Sequence, residues 1–333
     1  MKNVLICGAG GFIGGHLAQY LKKLNKYNLI CVDVKPKEYW FQISDDNQNY
    51  SLDLKEYDNC LKVTKDINFV YNMACNMGGM GFIENNKAEC MLSVLINTNL
   101  LRACVKNKIE RYFFSSSACV YNGDKQKKVF IDGLKEEDAY PGSPEDGYGW
   151  EKLFSERMCR HFFEDFGLET RVARYHNIYG PKGTYDGGRE KAPAAISRKI
   201  INAKLNKEDL IEVWGDGKQT RSFLFIDDCL DATYSLFNSD CREVLNIGSE
   251  EQVSINQLIE LVEKIAGYKV KKNHLLDKPL GVRGRSSNNE KIKSILNWSP
   301  KFSLHDGMEK TYEWISSNFL KRENSSKFTR KID

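Results

Sequence analysis

The 333-residue sequence has no apolar run that approaches the roughly 20 residues needed to cross a bilayer. Its apolar start, Val4-Leu5-Ile6, is followed at once by glycines and by no small-residue cleavage site, so we interpret it as a strand and not as a signal peptide. An excess of one charge is also lacking, because 49 Lys and Arg residues face 45 Asp and Glu residues, a net charge of +4. These absences argue against a membrane protein and against a dedicated nucleic-acid-binding surface.

Paired cysteines are missing as well, although the chain contains ten cysteines. No two are close enough to form a Cys-x-x-Cys motif, and the five histidines have no metal-ligand spacing, so the sequence predicts no metal site. Because no secretory signal is found, we expect reduced thiols in a cytoplasmic protein. Most of them should pack as small hydrophobic residues.

The first half of the chain alternates short apolar runs with helical patterns. The runs predict strands at Val4–Cys7, Leu29–Asp33, Phe69–Met73, Tyr112–Ser115 and Thr170–Tyr175. Helical spacing predicts helices at Phe12–Leu24, about 84–107 and 148–166. Strands that alternate with helices form βαβ units, so the predicted fold class is α/β. We expect a doubly wound parallel sheet of the Rossmann type, with ligands at the carboxyl ends of its strands.

The second half is less regular. It predicts a helix from Ala192 to Asn202, strands at Ile211–Trp214 and about 223–226, and helices at 227–237 and 254–266. We predict a first domain of residues 1–176, rejoined by about 222–248, and a smaller interleaved domain of 177–221 and 249–320. The polar tail at 321–333 should be frayed.

A glycine-rich loop at residues 8–14 follows the first predicted strand and opens the first predicted helix. Glycines let the backbone approach a pyrophosphate, and a helix N-terminus attracts its charge. Asp33 ends the next strand, where its carboxylate can accept hydrogen bonds from an adenosine ribose and repel a 2′-phosphate. The pattern therefore predicts NAD rather than NADP as the cofactor, although Lys35 lies close by. The predicted cofactor contacts in the loop are Gly8, Gly11, Phe12, Ile13 and Gly14.

Asp53 and Leu54 follow a short third predicted strand. We predict that they meet the adenine edge of the cofactor. The alternative is that Asp53 only caps the helix that follows.

Tyr148 and Lys152 stand four residues apart at the start of a predicted helix, so their side chains share one face. The charge of Lys152, together with an oxidised nicotinamide, should lower the pKa of the Tyr148 phenol. Such a phenol can accept a proton from a substrate hydroxyl that Ser117, on the strand before, also orients. The three residues predict a Ser/Tyr/Lys catalytic set, of which Tyr148 and Lys152 also contact NAD.

These features resemble the extended short-chain dehydrogenase/reductase family over nearly the whole chain. The resemblance rests on the glycine loop, Asp33, Ser117, the Tyr148 and Lys152 pair, and the segment Trp214–Arg221. It implies an enzyme that acts on a sugar nucleotide bound between two domains.

Five further motifs resemble those of the GDP-mannose 3,5-epimerases, a branch of this family. They are residues 77–83, 116–121, 176–181, 187–195 and 281–285. The implied reaction is the NAD-dependent epimerisation of GDP-mannose at C3 and C5, to GDP-L-galactose and GDP-L-gulose, by way of transient oxidation at C4. Two positions depart from the pattern: Asn76 stands where an acidic residue is expected, and Ser93 where many relatives carry Asn.

Inversion at C3 and C5 needs a ketone at C4, which acidifies the neighbouring protons, and two further groups on opposite faces of the ring. Cys119, two residues after Ser117, is the candidate base, because a thiol of lowered pKa can act as one at neutral pH. Lys191 is the candidate acid on the opposite side. Positioned acids and bases contribute about 10²–10⁴ in rate.

The resemblance also implies contacts to the GDP-sugar and a second copy of the chain. Guanidinium groups match phosphate oxygens, so Arg221 and Arg285 are predicted to bind the diphosphate. A homodimer built from the helices at about 84–107 and 148–166 is implied too. The other predicted substrate contacts are Gly78, Ser117, Ala118, Cys119, Asn177, Glu190, Lys191, Ala192, Lys199, Gln219 and Thr220.

Three alternatives stay open. The first is C3 or C5 epimerisation of another GDP-sugar. The second is a sugar-nucleotide C4-epimerase or 4,6-dehydratase. A C4-epimerase leaves Cys119 and Lys191 without a purpose, and dehydratases usually carry an Asp-Glu pair where this chain has Ala118-Cys119. The third, a non-enzymatic NAD-binding scaffold, would be expected to lack the Ser/Tyr/Lys set.

Overall fold

A computed structural model describes residues 1–321 and 326–329. Its strands are β1 (Lys2–Cys7), β2 (Tyr27–Asp33), β3 (Gln48–Ser51), β4 (Phe69–Asn72), β5 (Arg111–Ser117), β6 (Glu169–Tyr175), β7 (Ile178–Tyr179), β8 (Leu210–Trp214), β9 (Thr220–Ser222), β10 (Leu224–Phe225), β11 (Leu245–Ile247), β12 (Gln252–Ser254), β13 (Lys271–Leu275) and β14 (Gly284–Arg285). Its helices are α1 (Phe12–Leu24), α2 (Tyr57–Val63), α3 (Met80–Asn85), α4 (Lys87–Met91), α5 (Ser93–Lys106), α6 (Tyr148–Phe166), α7 (Ala192–Asn206), α8 (Ile226–Asn238), α9 (Ile255–Ala266), α10 (Glu290–Leu296), α11 (Leu304–Lys321) and α12 (Ser326–Thr329).

Seven strands form one sheet in the order β11-β6-β5-β4-β1-β2-β3, and every neighbouring pair is parallel. From β1 the chain first adds strands on one side and then, from β4 onward, on the other. Ligands of such sheets bind beyond the carboxyl ends of the strands, at the point where the order reverses. The predicted fold class, a doubly wound α/β sheet, is confirmed.

Apolar side chains cover both faces of this sheet, because successive residues of a strand point to opposite sides. In β1, Val4 and Ile6 pack into the cluster that includes α1 and α8, whereas Leu5 and Cys7 pack into the cluster that includes α2, α5 and α6. All four are at most 1% exposed. Burial on both faces explains why the run reads as continuously apolar.

The single helix predicted at about 84–107 is wrong in detail, because the chain forms α3, α4 and α5 there. Asn86 separates α3 from α4, because its backbone angles, φ −132° and ψ 45°, are not helical. Its side-chain amide donates to the carbonyl of Phe82. Asparagine side chains compete in this way with the helical backbone hydrogen bonds.

Together α4 and α5, residues Lys87–Lys106, are long and apolar enough to cross a membrane by length and composition alone. The buried face of α5 nevertheless carries polar groups that bond within the protein. Asn97 accepts a hydrogen bond from the Tyr112 hydroxyl, and the Asn99 amide donates to the carbonyl of Lys55. These contacts are those of a core helix packed on the sheet.

The second half of the chain builds smaller units beside the carboxyl ends of the large sheet. β9 pairs with β12 and β14, β8 pairs with β13, and α7 packs against α9 and α11. The predicted helix from Ala192 continues to Asn206, four residues farther than expected, and the region predicted as one strand at about 223–226 contains β10 and the first residue of α8. β11 returns to the large sheet beside β6.

The prediction of a frayed tail at 321–333 is wrong for residues Ser326–Thr329, which form α12. Phe328 is 7% exposed, its ring packs on those of Phe41 and Trp314, and its carbonyl accepts the N–H of Tyr185. The apolar Phe328 explains why this part of a polar tail is held against the protein. Residues 322–325 and 330–333 lie outside the described part of the chain.

Candidate active site

The glycine loop has the shape that a dinucleotide diphosphate requires. Gly8 has φ +80°, and a Cβ at Gly14 would lie 2.2 Å from the carbonyl oxygen of Gly8. The N-terminus of α1 begins at Gly11 without a side-chain cap and without an acidic residue in its first turn. The N–H groups of Phe12, Ile13 and Gly14, in the first turn of this helix, are therefore placed to meet an anion, which fits their predicted roles. The N–H groups of Gly8 and Gly11 donate instead to the carbonyls of Val32 and Gly8, so these two glycines serve the close approach of the backbone.

Asp33 lies at the end of β2 and is tied to this loop. Its carboxylate accepts the backbone N–H groups of Gly10 and Lys35, each over 2.9 Å, while the Lys35 ammonium donates to the carbonyl of Gly10 over 2.9 Å. Burial raises the pKa of Asp33, although these N–H groups and Lys35 oppose that shift. The carboxylate is thus fixed at the end of the second strand, and its contact with a ribose stays a prediction.

Asp53 and Leu54 follow β3 at the same end of the sheet. Asp53 accepts the N–H of Lys55 through its side chain over 2.8 Å, and its carbonyl accepts the Asn59 amide. Leu54 is 3% exposed and belongs to the core. Asp53 therefore stabilises the turn before α2, and contact with adenine stays a prediction.

Tyr148 and Lys152 occupy the first two turns of α6 and are both buried. The ammonium of Lys152 lies 5.6 Å from the centre of the Tyr148 ring and 4.6 Å from that of Phe114. Glu151 places a carboxylate oxygen 3.7 Å from the same ammonium. Burial disfavours the charge on Lys152, but Glu151 together with Cys75 and Cys159 outweighs it, so the pKa of Lys152 is raised above its ordinary value. Lys152 is thus held as a cation beside the Tyr148 ring.

The pKa of Tyr148 does not follow the sequence prediction in the protein alone. Burial raises it well above its ordinary value, as do Cys75 and Cys119, while a hydrogen bond with Ser117 acts in the opposite direction. The predicted lowering requires the positive charge of an oxidised nicotinamide, which would add to that of Lys152.

A cavity of about 470 Å³ opens between the large sheet and the second half of the chain. It contains nearly every predicted substrate contact: Gly78, Ser117, Ala118, Cys119, Asn177, Glu190, Lys191, Ala192, Lys199, Gln219, Arg221 and Arg285 all line it. Gln219 directs its side-chain oxygen into a buried position with no hydrogen-bond partner among residues 1–321 and 326–329. A buried acceptor of this kind fits a ligand that donates a hydrogen bond.

The prediction for Thr220 is wrong. Thr220 is fully buried, does not line the cavity, and bonds through its hydroxyl to the carbonyl of Val129 and to Gln252. Its neighbours Gln219 and Arg221 do line the cavity. Because side chains alternate along β9, Thr220 must point away from the cavity when Arg221 points into it.

Cys119 faces the cavity beside a carboxylate and a guanidinium. Arg285 donates to Glu145 over 2.6 Å and approaches the Cys119 sulfur at 3.6 Å, while its third bond goes to Gln126. Burial raises the pKa of Cys119 to about 11, Glu145 adds to the rise, and Arg285 opposes it. Arg285 therefore lies at the thiol, with three of its nitrogens already engaged, rather than being free for a diphosphate.

Glu145 was not among the predicted site residues, yet it lies three residues before Tyr148 and lines the cavity. Its backbone N–H donates to the carbonyl of Cys119 over 2.9 Å. The same carbonyl lies 2.4 Å from where a Cβ of Gly149 would be, so glycine is needed for α6 to start this close to Cys119. The acidic residue just before the Tyr148 helix was the available signal.

Lys191 also faces the cavity, held by a loop that is fastened to the segment before α3. The N–H of Gly79 donates to the carbonyl of Arg189 over 3.1 Å. The Arg189 guanidinium donates to the Asn76 side chain over 2.9 Å and stacks on Phe82, 3.8 Å from the ring centre. Burial lowers the pKa of Lys191, whereas nearby Cys119 opposes that shift.

Arg221 and Lys199 supply further positive charge along the cavity. Burial and the neighbouring Arg285 lower the pKa of Arg221 to about 10, and burial lowers that of Lys199. Cations crowded in this way are stabilised when an anionic ligand arrives. The arrangement fits a diphosphate, with Arg221 rather than Arg285 as its partner, because Arg285 pairs with Glu145 whereas Arg221 pairs with no carboxylate of residues 1–321 and 326–329.

Comparison with known proteins agrees with this geometry. The chain is 45% identical to GDP-mannose 3,5-epimerase 1 of Oryza sativa subsp. indica over 321 residues, which cover 96% of this chain and 83% of that protein. It is 44% identical to GDP-mannose 3,5-epimerase of Arabidopsis thaliana, covering 96% and 84% of the two chains.

Solved structures share the fold. UDP-glucuronic acid 4-epimerase from Bacillus cereus, in complex with UDP-glucuronic acid and NAD, has a TM-score of 0.81 and 28% identity, covering 95% of this chain and 99% of that one. UDP-glucose 4-epimerase from Thermotoga maritima has a TM-score of 0.85 at 24% identity, covering 96% and 100%. Residues 4–248 match the model of the NAD dependent epimerase/dehydratase family. The chain therefore belongs to the NAD dependent epimerase/dehydratase family.

Proposed function

We propose that the protein is an NAD-dependent GDP-mannose 3,5-epimerase. The observation that carries the proposal is that Cys119 and Lys191 line one cavity, beside the Ser117 that bonds to Tyr148. The rice and Arabidopsis relatives that bear this name match 96% of the chain. Oxidation and reduction at C4 alone would need neither the thiol nor the amine, so their presence in one site favours inversion at C3 and C5.

The first part of the reaction is proton removal from the C4 hydroxyl. Ser117 and Tyr148 are the hydrogen-bonding pair that receives this hydroxyl, and Tyr148 accepts its proton. Lys152, kept charged by Glu151, stabilises the phenolate that Tyr148 must form. NAD, when bound at the glycine loop and Asp33, supplies a reversible two-electron oxidation at C4.

The second part is the exchange of protons at C3 and C5, which the C4 ketone makes acidic. Cys119 belongs to the turn after β5, whereas Lys191 precedes α7, so the thiol and the amine come from different parts of the fold. One group removes the proton and the other returns one to the opposite face of the ring. Arg221 and Lys199 hold the diphosphate, and Gln219 accepts a hydrogen bond from the ligand.

A substrate comparison tests this proposal. The protein with NAD is incubated separately with GDP-mannose, UDP-glucose and UDP-glucuronic acid, and the sugars released by mild acid are identified by chromatography. We expect galactose and gulose from GDP-mannose and no change in either UDP-sugar. Conversion of a UDP-sugar to its C4 epimer, with GDP-mannose unchanged, would support the C4-epimerase alternative instead.

We further propose a homodimer formed through α4, α5 and α6. Large apolar side chains are exposed on these helices and at the junction of α4 and α5: Met91, Leu92, Leu95, Trp150 and Phe154 are 41–54% exposed. α5 packs along α6, so two such pairs can form a four-helix interface. Light scattering should give about twice the 38.2 kDa chain mass, and Phe154→Glu should give the monomer. A monomeric wild-type protein at micromolar concentration would contradict this interface.

A cytoplasmic location is also proposed. All ten cysteines are free, and eight of them are buried. A protein that keeps this many unpaired thiols suits a reducing compartment. Fractionation of cells that make the protein, with detection by antibody, tests the location.

A further inference from the structure

Two residues that line the cavity carry a buried side-chain oxygen with no hydrogen-bond partner in the described ranges 1–321 and 326–329. They are Gln219, through Oε1, and Glu145, through Oε2. Gln219 lies two residues before Arg221, which fits the diphosphate, whereas Glu145 lies beside Cys119. Because buried polar atoms are nearly always hydrogen-bonded, an unpaired acceptor in a cavity indicates a donor group of the ligand.

Glu145 is fixed from two sides. Its backbone N–H donates to the carbonyl of Cys119 over 2.9 Å, and its Oε1 accepts Arg285 over 2.6 Å. Arg285 is held in turn by the side-chain oxygen of Gln126 over 2.7 Å. The Glu145 side chain is only 15% exposed. The carboxylate therefore cannot turn Oε2 toward another partner without breaking its ion pair.

The chemistry of Oε2 restricts what it can bind. An ionised carboxylate only accepts hydrogen bonds, and the Arg285 guanidinium beside it keeps it ionised. Arg285 also approaches the Cys119 sulfur at 3.6 Å, so the thiol is a neighbour of the carboxylate. Since a thiol is a weak donor and a carboxylate oxygen has two lone pairs, Oε2 can still accept a stronger donor. Phosphate oxygens cannot supply one, but sugar hydroxyls can.

We infer that Glu145 binds a hydroxyl of the hexose, other than the one at C4, through Oε2. This inference rests on the proposed function, which places the C4 hydroxyl at Ser117 and Tyr148. The Ser117 hydroxyl accepts the N–H of Cys119 over 3.2 Å, and the Cys119 carbonyl accepts the N–H of Glu145. Ser117, Cys119 and Glu145 thus form one continuous edge, along which a hexose bound at Ser117 meets Oε2 with a second hydroxyl.

Glu145 is then a specificity-determining residue. A charged acceptor that is already desolvated binds a hydroxyl strongly, and it stays unpaired when the sugar has hydrogen at that position. Sites built in this way reject analogues that lack the donor. Hexoses that keep the hydroxyl should therefore bind better than the deoxy sugar. In GDP-mannose the hydroxyls that remain after C4 are those at C2, C3 and C6.

The test changes both the sugar and the protein. Protein with NAD bound and with Tyr148→Phe, which stops turnover, is titrated calorimetrically with GDP-mannose and with its 2-deoxy, 3-deoxy and 6-deoxy analogues. We expect one analogue to bind about 10–100-fold more weakly than GDP-mannose, because it lacks the donor to a charged acceptor. When Glu145→Gln is added, that difference should shrink to a few-fold, which isolates the pair.

Glutamine is the informative replacement. Arg285 is a donor, so it keeps the amide oxygen, and the amide NH₂ takes the place of Oε2. The variant thus turns the acceptor into a donor at nearly constant size. GDP-mannose should bind about tenfold more weakly, whereas GDP, which has no hexose, should not. Glu145→Asp, which keeps the charge but is too short to reach both partners, is the second variant if Glu145→Gln does not fold.

Asp146→Asn is the matched control, because Asp146 is the adjacent carboxylate but is 69% exposed and pairs with Lys87 over 2.9 Å. It should leave every affinity unchanged. Equal losses for each analogue with and without Glu145→Gln would overturn the inference. So would a GDP affinity that falls as far as that of GDP-mannose, because Oε2 would then serve the nucleotide.

Turnover is measured separately with Tyr148 in place. If GDP-mannose is not epimerised, the proposed function fails. The titrations need no turnover, so they would still decide whether Glu145 binds a sugar hydroxyl.

Discussion

The backbone N–H of Asn76 donates a hydrogen bond of 2.9 Å to the Ser93 hydroxyl, so the two residues that depart from the family pattern are in contact. Ser93 is the first residue of α5, and Asn76 lies in the segment that runs from β4 to α3. The Asn76 side chain continues the connection to Arg189. This chain of contacts joins α5 to the loop that carries Lys191.

Replacing Asn76 by Asp should stabilise this connection. The change turns the 2.9 Å bond to Arg189 into a charge-assisted one, which adds about 1 kcal/mol in a partly buried place. We expect the Tm, measured by calorimetry, to rise by about 1–2 °C. In an Arg189→Gln background Asn76→Asp should give no gain, and an equal gain in both backgrounds would contradict the pairing.

Asp33→Asn should weaken NAD binding and reduce discrimination against NADP. The Asp33 carboxylate, held by the N–H groups of Gly10 and Lys35, is predicted to accept hydrogen bonds from the ribose hydroxyls and to repel a 2′-phosphate. Losing that charge should cost about 1–2 kcal/mol, or about 5–30-fold in Kd. Calorimetric titration of cofactor-free protein with NAD and with NADP measures both effects. Asp46→Asn, at an exposed ion pair with Lys22, is the control, and an unchanged NAD to NADP ratio in Asp33→Asn would argue against the assigned role.

Tyr148→Phe should reduce the initial rate of GDP-mannose conversion by about 10²–10⁴, because the acceptor of the C4 hydroxyl proton is removed. Exchange at C3 and C5 should fall equally, since both protons become acidic only after C4 is oxidised. NAD affinity should change little. Tyr140→Phe, at a residue that is 46% exposed, is the matched control. A Tyr148→Phe enzyme within a few-fold of the wild-type rate would exclude Tyr148 as the proton acceptor.

The stability of the protein should fall in acid because of His16. This histidine packs between Phe12 and Phe41 beside the glycine loop, and burial lowers its pKa from 6.5 to about 4. The neutral ring is therefore required in the folded state. The contribution of the neutral His16 ring to the free energy of unfolding is fully present above pH 6.5. About 3 kcal/mol of that free energy is lost as the pH falls from 6.5 to 4.

Urea unfolding of wild type and His16→Gln between pH 7.5 and 4 isolates this effect. The difference between the two unfolding free energies should shrink as the pH falls, because the variant has no ring to protonate. His161→Gln, at a half-exposed residue of α6, serves as the control. Parallel curves for wild type and His16→Gln would show that His16 does not titrate in this way.

Local rules were sufficient to place the residues that are predicted to bind the cofactor. The i, i+4 spacing fixed Tyr148 and Lys152 on one face of α6, and the strand–loop–helix pattern fixed Gly14 and Asp33 at the end of the sheet. Both patterns are formed by residues that lie close together in the sequence. The boundaries of α1 and α6 agreed with the predicted ones for the same reason.

Long-range contacts determined what the sequence could not show. Glu145 reaches Arg285 across 140 residues, and Arg189 reaches Asn76 across 113, so neither pair has a local signature. Thr220 was misassigned because a motif does not reveal which of its residues face inward. The pKa of Cys119 depends on burial and on Glu145 and Arg285, so the sequence alone could not indicate its shift.

The most direct test is incubation of GDP-mannose with the protein and NAD in D₂O, followed by NMR of the recovered sugar nucleotide. Epimerisation through Cys119 and Lys191 predicts deuterium at both C3 and C5, because each inversion returns a proton that exchanges with solvent. A C4-epimerase has no group placed to exchange either position. GDP-mannose that keeps its hydrogen at C3 and C5 after prolonged incubation would contradict the account.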